Sequence, residues 1–387
     1  MSYNYAVIGS GRQGIASAYD FVKYGEAAKV IMADINFDAA KDAAGKVNGL
    51  TGKPICEPVE LNVKDNNQVI SLLTNIDSMV SAVPYKFNLE LTKCAIKSKT
   101  NMTDLGGNTA IVKEQIKLNN EAKNNGISIV PDCGMDPGLN ISLISYIFEI
   151  FDSIEEIKSY GAGLPQHPVP PWNYELYFNL NGLTNEYYGN AIFIENGKVK
   201  EVPCFDGFEV IDFPEPLGKL EAAVTSGGLS TLPYELEGKI KTLTNKTLRY
   251  PGHWNQFKAY SQLGLFDEKP LFFNGCQISP REFYHFLIGP KIKPKSNKDV
   301  GIISILAKGI INGENKNLKI ELIDYYDENT GLTAMQKLTG WHASVISILS
   351  AQNKTVKGAV PVHQAVSGKS IIEEFRKRGL IIKIELG

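Results

Sequence analysis

Cysteine is scarce and unpaired in this chain: Cys56, Cys94, Cys133, Cys204 and Cys276 are odd in number, far apart and never in CxxC spacing. That excludes a disulfide framework and a structural zinc site, and it is how reduced thiols look. Long apolar runs are missing too, since none approaches the ~20 residues needed to span a bilayer. Nor does one sign of charge prevail. Lys+Arg number 40 against 42 Asp+Glu, a formal net charge of -2 with the signs interspersed, so no nucleic acid and no membrane surface is an expected partner. No histidine and carboxylate grouping has metal-ligand spacing, and no metal is expected. The start, MSYNYAVIGSG, enters the fold without a basic and apolar leader, which makes a cytoplasmic location the expectation.

What is present begins within fourteen residues. Tyr5-Ala6-Val7-Ile8 is a short apolar run that breaks at Gly9-Ser10-Gly11-Arg12-Gln13-Gly14, after which Ile15 to Phe21 continues at helical period. Strand, glycine-rich turn and helix form the context in which GxGxxG means dinucleotide binding. Gly9 is expected to make the sharp turn, Gly11 to leave room for a pyrophosphate, and Gly14 to let helix and strand lie close. The helix start supplies free N–H groups and a positive dipole end. A second strand, Lys29 to Ala33, ends in Asp34. A carboxylate there accepts from both ribose hydroxyls and repels a 2'-phosphate, and no Arg follows it at once, so NAD is the expected cofactor. Arg12 is the one residue that blurs this preference.

With 387 residues the chain suits two domains. Asp38 to Val47 reads as a crossover helix and Pro58 to Val63 as a third strand, whose end, Asn62-Val63, faces the adenine edge of a cofactor. Asn67 to Leu73 is helical; Ser78 to Ala82 is a strand closed by Val83-Pro84-Tyr85, where the proline keeps the helix from starting early. Further strands are expected at Asn101 to Asp104 and Ile127 to Val130, with helices at Phe87 to Ser98 and Ile111 to Asn124. This alternation predicts an α/β, doubly wound parallel sheet of Rossmann type. Ligands lie at the carboxyl ends of such strands, so Ala82-Val83-Pro84, Asp104 and Asp132-Cys133 fall at the working edge.

After Gly138 comes an apolar helix, Leu139 to Phe151, and from Ile154 the period shifts to two. Strands are expected at Glu175 to Leu180, Ala191 to Ile194 and Lys198 to Val202, with a hairpin turn at Glu195-Asn196-Gly197. A further pair, Gly301 to Gly313 and Leu318 to Tyr326, surrounds an Asn-Gly turn. This half predicts a second α+β domain on a largely antiparallel sheet. Ala334 to Gln352 and Lys369 to Arg378 are helical, and Leu380 to Ile384 is an apolar strand. Taking that tail as a return gives residues 1–138 with 334–387 as the dinucleotide-binding domain, and 139–333 as the substrate and oligomerisation domain.

Three clusters can hold a hydride donor: Asp104-Leu105-Gly106-Gly107, Asp132-Cys133-Gly134-Met135-Asp136-Pro137-Gly138-Leu139, and Thr247-Leu248-Arg249-Tyr250-Pro251-Gly252-His253-Trp254. In the second, Pro137 and Gly138 open a helix whose free N–H groups can bind an anion. The glycine fingerprint and the first two clusters resemble the saccharopine dehydrogenase superfamily. Gly163-Leu164-Pro165-Gln166-His167-Pro168, Asn185-Glu186-Tyr187, Thr225-Ser226-Gly227-Gly228 and Arg249-Tyr250-Pro251-Gly252-His253 look like its lysine 6-dehydrogenase branch, over nearly the whole chain. The resemblance implies NAD-dependent oxidative deamination of the L-lysine ε-amine to 2-aminoadipate 6-semialdehyde, which cyclises, and ammonia, by a homo-oligomer. Asp136 departs from that pattern, which has a small apolar residue there, and adds a carboxylate to the pocket.

A lysine ammonium, with a pKa of about 10.4, cannot expel hydride while protonated, so a base must take the proton and later activate water. Asp104 and Asp132 are the candidates, with Cys133 as neighbour; Asp132 as a helix cap and Cys133 as a small buried residue are the structural alternatives. Arg249 can clamp the α-carboxylate in bidentate fashion. His253 is either a proton relay or a structural hydrogen bond, and Tyr250 either orients substrate or packs. His167, His285, His342 and His363 default to structural or surface roles. Two other readings stay open: a reductase joining an aldehyde to an amine, as in saccharopine or carboxynorspermidine formation, and a non-catalytic NAD-binding sensor.

Overall fold

A computed structural model describes residues 2–387. The chain forms two compact units, Met1–Phe151 with Ser230–Leu232 and Gln336–Leu380, and Asp152–Leu229 with Pro233–Met335 and Ile381–Gly387.

The first unit alternates strand and helix: β1 (Tyr3–Ile8), α1 (Arg12–Tyr24), β2 (Ala27–Asp34), α2 (Phe37–Thr51), β3 (Cys56–Glu60), α3 (Asn66–Leu73), β4 (Ser78–Ser81), α4 (Asn88–Ser98), β5 (Asn101–Asp104), α5 (Thr109–Ile116), α6 (Asn119–Asn124), β6 (Ser128–Val130) and α7 (Leu139–Ile150). The second contributes β7 (Ser153–Pro165), α8 (Leu180–Glu186), β8 (Asn190–Glu195), β9 (Lys198–Pro203), β10 (Glu209–Asp212) and β11 (Lys219–Val224). A short α9 (Leu232–Leu236) precedes β12 (Thr242–Arg249), α10 (His253–Gln262), β13 (Leu271–Phe273), β14 (Cys276–Ile278), α11 (Pro280–Ile292), β15 (Asp299–Ile311) and β16 (Glu314–Tyr325). The tail holds α12 (Ala334–Gln336), α13 (His342–Ala351), β17 (Gly358–Ala359), α14 (Val362–Ala365), α15 (Gly368–Lys377) and β18 (Ile382–Leu386).

In the first unit the sheet runs β17-β6-β5-β4-β1-β2-β3, with every neighbouring pair parallel. From β1 the chain winds outward through β2 and β3, then returns to build β4, β5 and β6 on the other side. The switch between β1 and β4 is where such a sheet opens a crevice at its carboxyl edge. This is the doubly wound sheet that the alternation predicts. Both faces are covered: Tyr5 to Ile8 are buried, and every residue of α13 is buried. The tail is locked to α1 by an ion pair in which Arg378 Nε and Nη2 donate to Asp20 at 2.6 and 3.0 Å, with Ser344 adding a hydroxyl.

Local differences have local causes. The helix expected over Ile111 to Asn124 is broken between α5 and α6, where Leu118 N bonds Gln115 O and Gln115 turns its amide inward. β3 ends at Glu60, and Asn62 Oδ1 accepts from Lys64 N, so Asn62 and Val63 form a turn after the strand instead of ending it. Pro84 does not delay winding: a 3-10 turn, Tyr85–Phe87, begins directly after it and leads into α4.

The second unit carries a nine-stranded sheet, β10-β11-β12-β7-β15-β16-β18, with β8 on β12 and β9 on β8. β12 and β7 are parallel and the other pairs antiparallel. Asn196 and Gly197, then Asn312 and Gly313, all have positive φ, the two-residue turn that matches strand twist. Glu175 to Leu180 is not a strand. Its alternating apolar residues, Leu176, Phe178 and Leu180, pack against a side-chain cluster that holds Tyr174, and Leu176 N bonds Ile292 O at the end of α11. The terminal apolar strand belongs to this sheet as β18, paired with β16, so the tail returns to the first unit only as far as Leu380. No helix among the described residues is long and apolar enough to cross a membrane.

Candidate active site

The glycine turn follows from close contacts. A Cβ on Gly9 would stand 2.6 Å from Ala82 O, and one on Gly14 would stand 2.0 Å from Gly9 O. A Cβ on Gly11 would meet nothing within 4 Å. Two glycines are therefore needed by the chain itself, and the third faces open space. Gly11 begins α1 without a side-chain cap, Ile15 being the amide that bonds back to it, and Ser10 Oγ and Gln13 Oε1 are buried without partners. An uncapped helix start, an open cradle and orphaned polar atoms suit a pyrophosphate. Asp34 is held by the amides of Ser10 at 2.9 Å and Asn36 at 3.0 Å, which fixes its carboxylate beside the turn. Val83 reaches toward Gly9 from the end of β4, and Ala82 N bonds Ile8 O.

Two buried carboxylates stand at neighbouring strand ends of the same sheet, Asp104 closing β5 and Asp132 two residues past β6. Asp104 Oδ1 accepts from Gly106 N at 2.8 Å and Asp132 N at 3.2 Å, and Oδ2 accepts from Gln115 Nε2 at 2.7 Å. Burial raises its pKa against those donors. Asp132 has φ 58, and its Oδ2 accepts from the Ser230 hydroxyl. Its Oδ1 is buried with no hydrogen-bond partner; the Gly107 amide is near enough to favour the charge slightly, yet lacks hydrogen-bond geometry. Burial, and then repulsion from Asp104, push its pKa up to about 7. The left-handed turn at Gly106 is required here, because a Cβ there would lie 2.1 Å from that oxygen. A recess lined by Val112, Asp132, Ile141, Ser230 and His363 opens beside the carboxyl group.

Cys133 is fully buried, and its thiol donates to Val130 O at 3.2 Å. Burial and the two carboxylates hold it well above a thiol's ordinary pKa, so it supplies no thiolate. His342, also fully buried, joins Cys133 O at 3.0 Å to Ser142 Oγ at 2.9 Å, and burial lowers its pKa to about 4. The anion site expected at the start of α7 does not form. Gly138 N donates to Asn140 Oδ1, Leu139 N to Gly134 O and Asn140 N to Met135 O. Asp136 Oδ1 accepts from Asn140 Nδ2 at 2.8 Å and braces that turn. Asp132 does not cap α7 either; Gly138 holds that position.

In the second unit, Arg249 ends β12 and is 2% exposed. Nε donates to Tyr187 Oη at 2.8 Å, Nη1 to Leu248 O at 3.0 Å, and Nη2 lies 3.7 Å from Glu186 Oε2. The guanidinium carbon lies 4.9 Å from the Tyr174 ring centre and 5.7 Å from those of Tyr187 and Trp254. A buried cation thus rests among aromatic faces with a loose carboxylate partner. Glu186 is raised to about 7 by burial, with Arg249 opposing. The Nε edge is taken, so a bidentate clamp has only the Nη1/Nη2 edge to offer. His253 Nε2 joins Tyr187 Oη at 2.8 Å, its ring stacks on Phe257, and burial holds its pKa well below the usual range, so it is neutral. Tyr250 takes the packing role of its two alternatives. Its hydroxyl donates to Pro165 O, and its ring packs among Leu164, Leu220 and Ile302.

The sequence points to no role for Ser230, Gln115 or Tyr174, and to Glu186 and Tyr187 only as part of a motif. The Asn185-Glu186-Tyr187 motif was a usable signal, whereas Ser230 lies 98 residues from Asp132 with nothing local to join them. Among the described residues, no group of three or more His, Cys, Asp or Glu converges as metal ligands do.

A parallel sheet with this winding, glycine turn and Asp34 defines a dinucleotide-binding class of fold. The family model for the saccharopine dehydrogenase NADP binding domain matches residues 5–130, and that for the saccharopine dehydrogenase C-terminal domain matches residues 132–380. The chain belongs to the saccharopine dehydrogenase family. It is similar to mitochondrial alpha-aminoadipic semialdehyde synthase of Mus musculus, 27% identical over 248 residues, 61% of this chain and 26% of that protein. It is also similar to saccharopine dehydrogenase [NADP(+), L-glutamate-forming] of Pyricularia oryzae, 26% identical over 252 residues, 62% of this chain and 53% of that one. The chain thus matches about half or less of the length of these relatives. The apo saccharopine dehydrogenase (L-Glu forming) structure from Saccharomyces cerevisiae shares the fold, with TM-score 0.78, 17% identity and full coverage of both chains.

Proposed function

We propose that this protein is an NAD-dependent amine dehydrogenase that converts the ε-CH-NH2 group of L-lysine to 2-aminoadipate 6-semialdehyde, which cyclises, with release of ammonia. The observation that carries this reading is Asp132: a buried carboxyl raised to about 7, one oxygen unpartnered, at the carboxyl edge of the sheet that bears the glycine turn. Family membership supports the chemistry. The first unit would hold the dinucleotide and the second would recognise substrate.

Gly11, Ser10, the start of α1 and Asp34 would hold the cofactor, and the nicotinamide, when bound, accepts a hydride from the substrate carbon. Asp34 with no Arg directly after it supports NAD, although the matched family model and the fungal relative carry NADP in their names. Asp132 takes the proton of the ε-ammonium. With a carboxyl pKa of about 7 and an ammonium of about 10.4, that transfer is uphill by roughly 4 to 5 kcal/mol in water; a desolvated pocket narrows the gap by lowering the amine. Asp132 then passes that proton to solvent. Once hydride has left, it takes a proton from the water that adds to the iminium carbon and returns it to the nitrogen. It then takes the carbinol hydroxyl proton as the C–N bond breaks to give aldehyde and ammonia. Asp104 braces Asp132 by accepting its backbone amide, and its charge keeps the neighbouring pKa high. Within the second unit, the Nη edge of Arg249 would be the place for a carboxylate. Cys133 and Tyr250 take no chemical step.

A second reading rests on the names of the relatives: reductive condensation of a semialdehyde with glutamate. Purified protein given L-lysine and NAD should produce NADH and one ammonia per NADH. No turnover there, with NAD(P)H consumed on adding semialdehyde and glutamate, would favour the second reading. Cofactor binding with no turnover on any amine would leave a sensor.

A further inference from the structure

Helix α11 is apolar on two opposite faces. One stripe, Tyr284, Ile288 and Ile292, is buried in the aromatic cluster of its own unit. The other, Phe283, Phe286, Leu287 and Pro290, recurs at i, i+3, i+4 and i+7 and faces solvent, with Phe286 75% exposed. That spacing is how a helix presents anchors to a groove. Directly before it, joined through the cap Ser279, stands the hairpin β13–β14, whose Leu271, Phe272 and Phe273 are all exposed, Phe272 at 81%. A lone two-stranded hairpin is marginal in water, and its free edges invite a partner.

At roughly 200 Å² per large side chain, these exposed groups present about 700 Å² of apolar surface. That exceeds the ordinary patch on a monomer and approaches the roughly 800 Å² each partner gives to a standard interface. Charge around the patch is mixed, since Asp267, Glu268 and Glu282 are exposed beside it as well as Lys291, Lys293 and Lys295. A lipid surface asks for one sign; a protein face tolerates both. Glu282 lies in the first turn of α11 and Lys291 in its last. Two copies of α11 laid antiparallel therefore set acidic turn beside basic turn and oppose the helix dipoles.

We propose that the face formed by α11 and the β13–β14 hairpin is the interface with a second copy of this chain, with the α11 helices paired antiparallel about Phe286 and Leu287. The inference does not depend on the reaction assigned above. Sedimentation velocity of the full chain is the test. Wild type should sediment at twice the chain mass or a multiple of it. F286D/L287D, whose changed side chains are exposed and leave the core intact, should sediment at half the wild-type mass with unchanged far-ultraviolet circular dichroism. A monomeric wild type, or a double variant of unchanged mass, would overturn the proposal. A second variant, Phe286→Cys in a Cys276→Ser background, should form a covalent dimer on mild oxidation, and its failure to do so in a protein that sediments as a dimer would also overturn it. Monomeric protein that floats with phosphatidylcholine and phosphatidylserine vesicles through this face would replace the second copy with a membrane.

Discussion

Asp104 closes β5 and Asp132 lies two residues past the neighbouring β6, both nearly without exposure, yet their oxygens are used differently. Three N–H donors converge on Asp104, whereas Asp132 has one hydroxyl and an orphan oxygen. Position in the sheet gave both carboxyls the same opportunity; the donors around them separate a brace from a group left able to trade a proton near neutrality. The two buried arginines repeat this lesson. Arg378 is saturated by Asp20 and Glu374, while Arg249 has aromatic faces, a hydroxyl, and a carboxylate 3.7 Å away.

The sharpest way to break the comparison is to exchange the carboxyls one at a time. Asp132→Asn should lower kcat for L-lysine by about 10²- to 10⁴-fold, leaving NAD affinity in place. Because the folded chain keeps the Asp132 proton to about pH 7 while the unfolded chain loses it near 3.8, wild-type stability falls as pH climbs between those values. The same variant should therefore melt a few degrees above wild type at pH 8, and the gap should close toward pH 4. Asp104→Ala, by contrast, strands three donors and should cost about 3 kcal/mol in urea unfolding at pH 7. Matching responses from the two variants would erase the distinction.

For the arginines, Arg378→Ala leaves Asp20 buried and unpaired and should cost about 3 to 5 kcal/mol of stability, measured by urea unfolding. Arg249→Lys keeps the charge and loses the fork; steady-state kinetics should show KM for L-lysine rising about 10-fold or more with KM for NAD unchanged. An unchanged lysine KM would reduce Arg249 to a packing role. The smallest effect is expected at Asp34, where Asp34→Ser should move the NAD over NADP ratio of kcat/KM toward NADP by about tenfold, 1.4 kcal/mol.

What could be read from the chain is what depends on near neighbours. The strand, glycine turn and helix at Tyr5 to Phe21, the Asn-Gly hairpins and the strands that end at Asp34 and Asp104 all declare themselves within a dozen residues. Glu175 to Leu180 misled because alternation of apolar residues, Leu176, Phe178 and Leu180, looks the same whether the partner is a strand or a side-chain cluster. The start of α7 misled because Asn140 takes the Gly138 amide, and the carbonyls of Gly134 and Met135 take the next two donors that a free helix start would offer. Ser230 on Asp132 and Tyr187 on Arg249 are contacts across 98 and 62 residues. Only folding brings them together, and they decide which candidate acid and which candidate cation keep spare capacity.

The direct test is the pH dependence of kcat/KM for L-lysine at saturating NAD, in wild type and Asp132→Asn. A limb rising with pH through about 7 in wild type and absent from the residual activity of the variant is the expected result. A limb that persists in the variant, or a wild-type limb at ordinary carboxylate pH, would show that Asp132 is not the base.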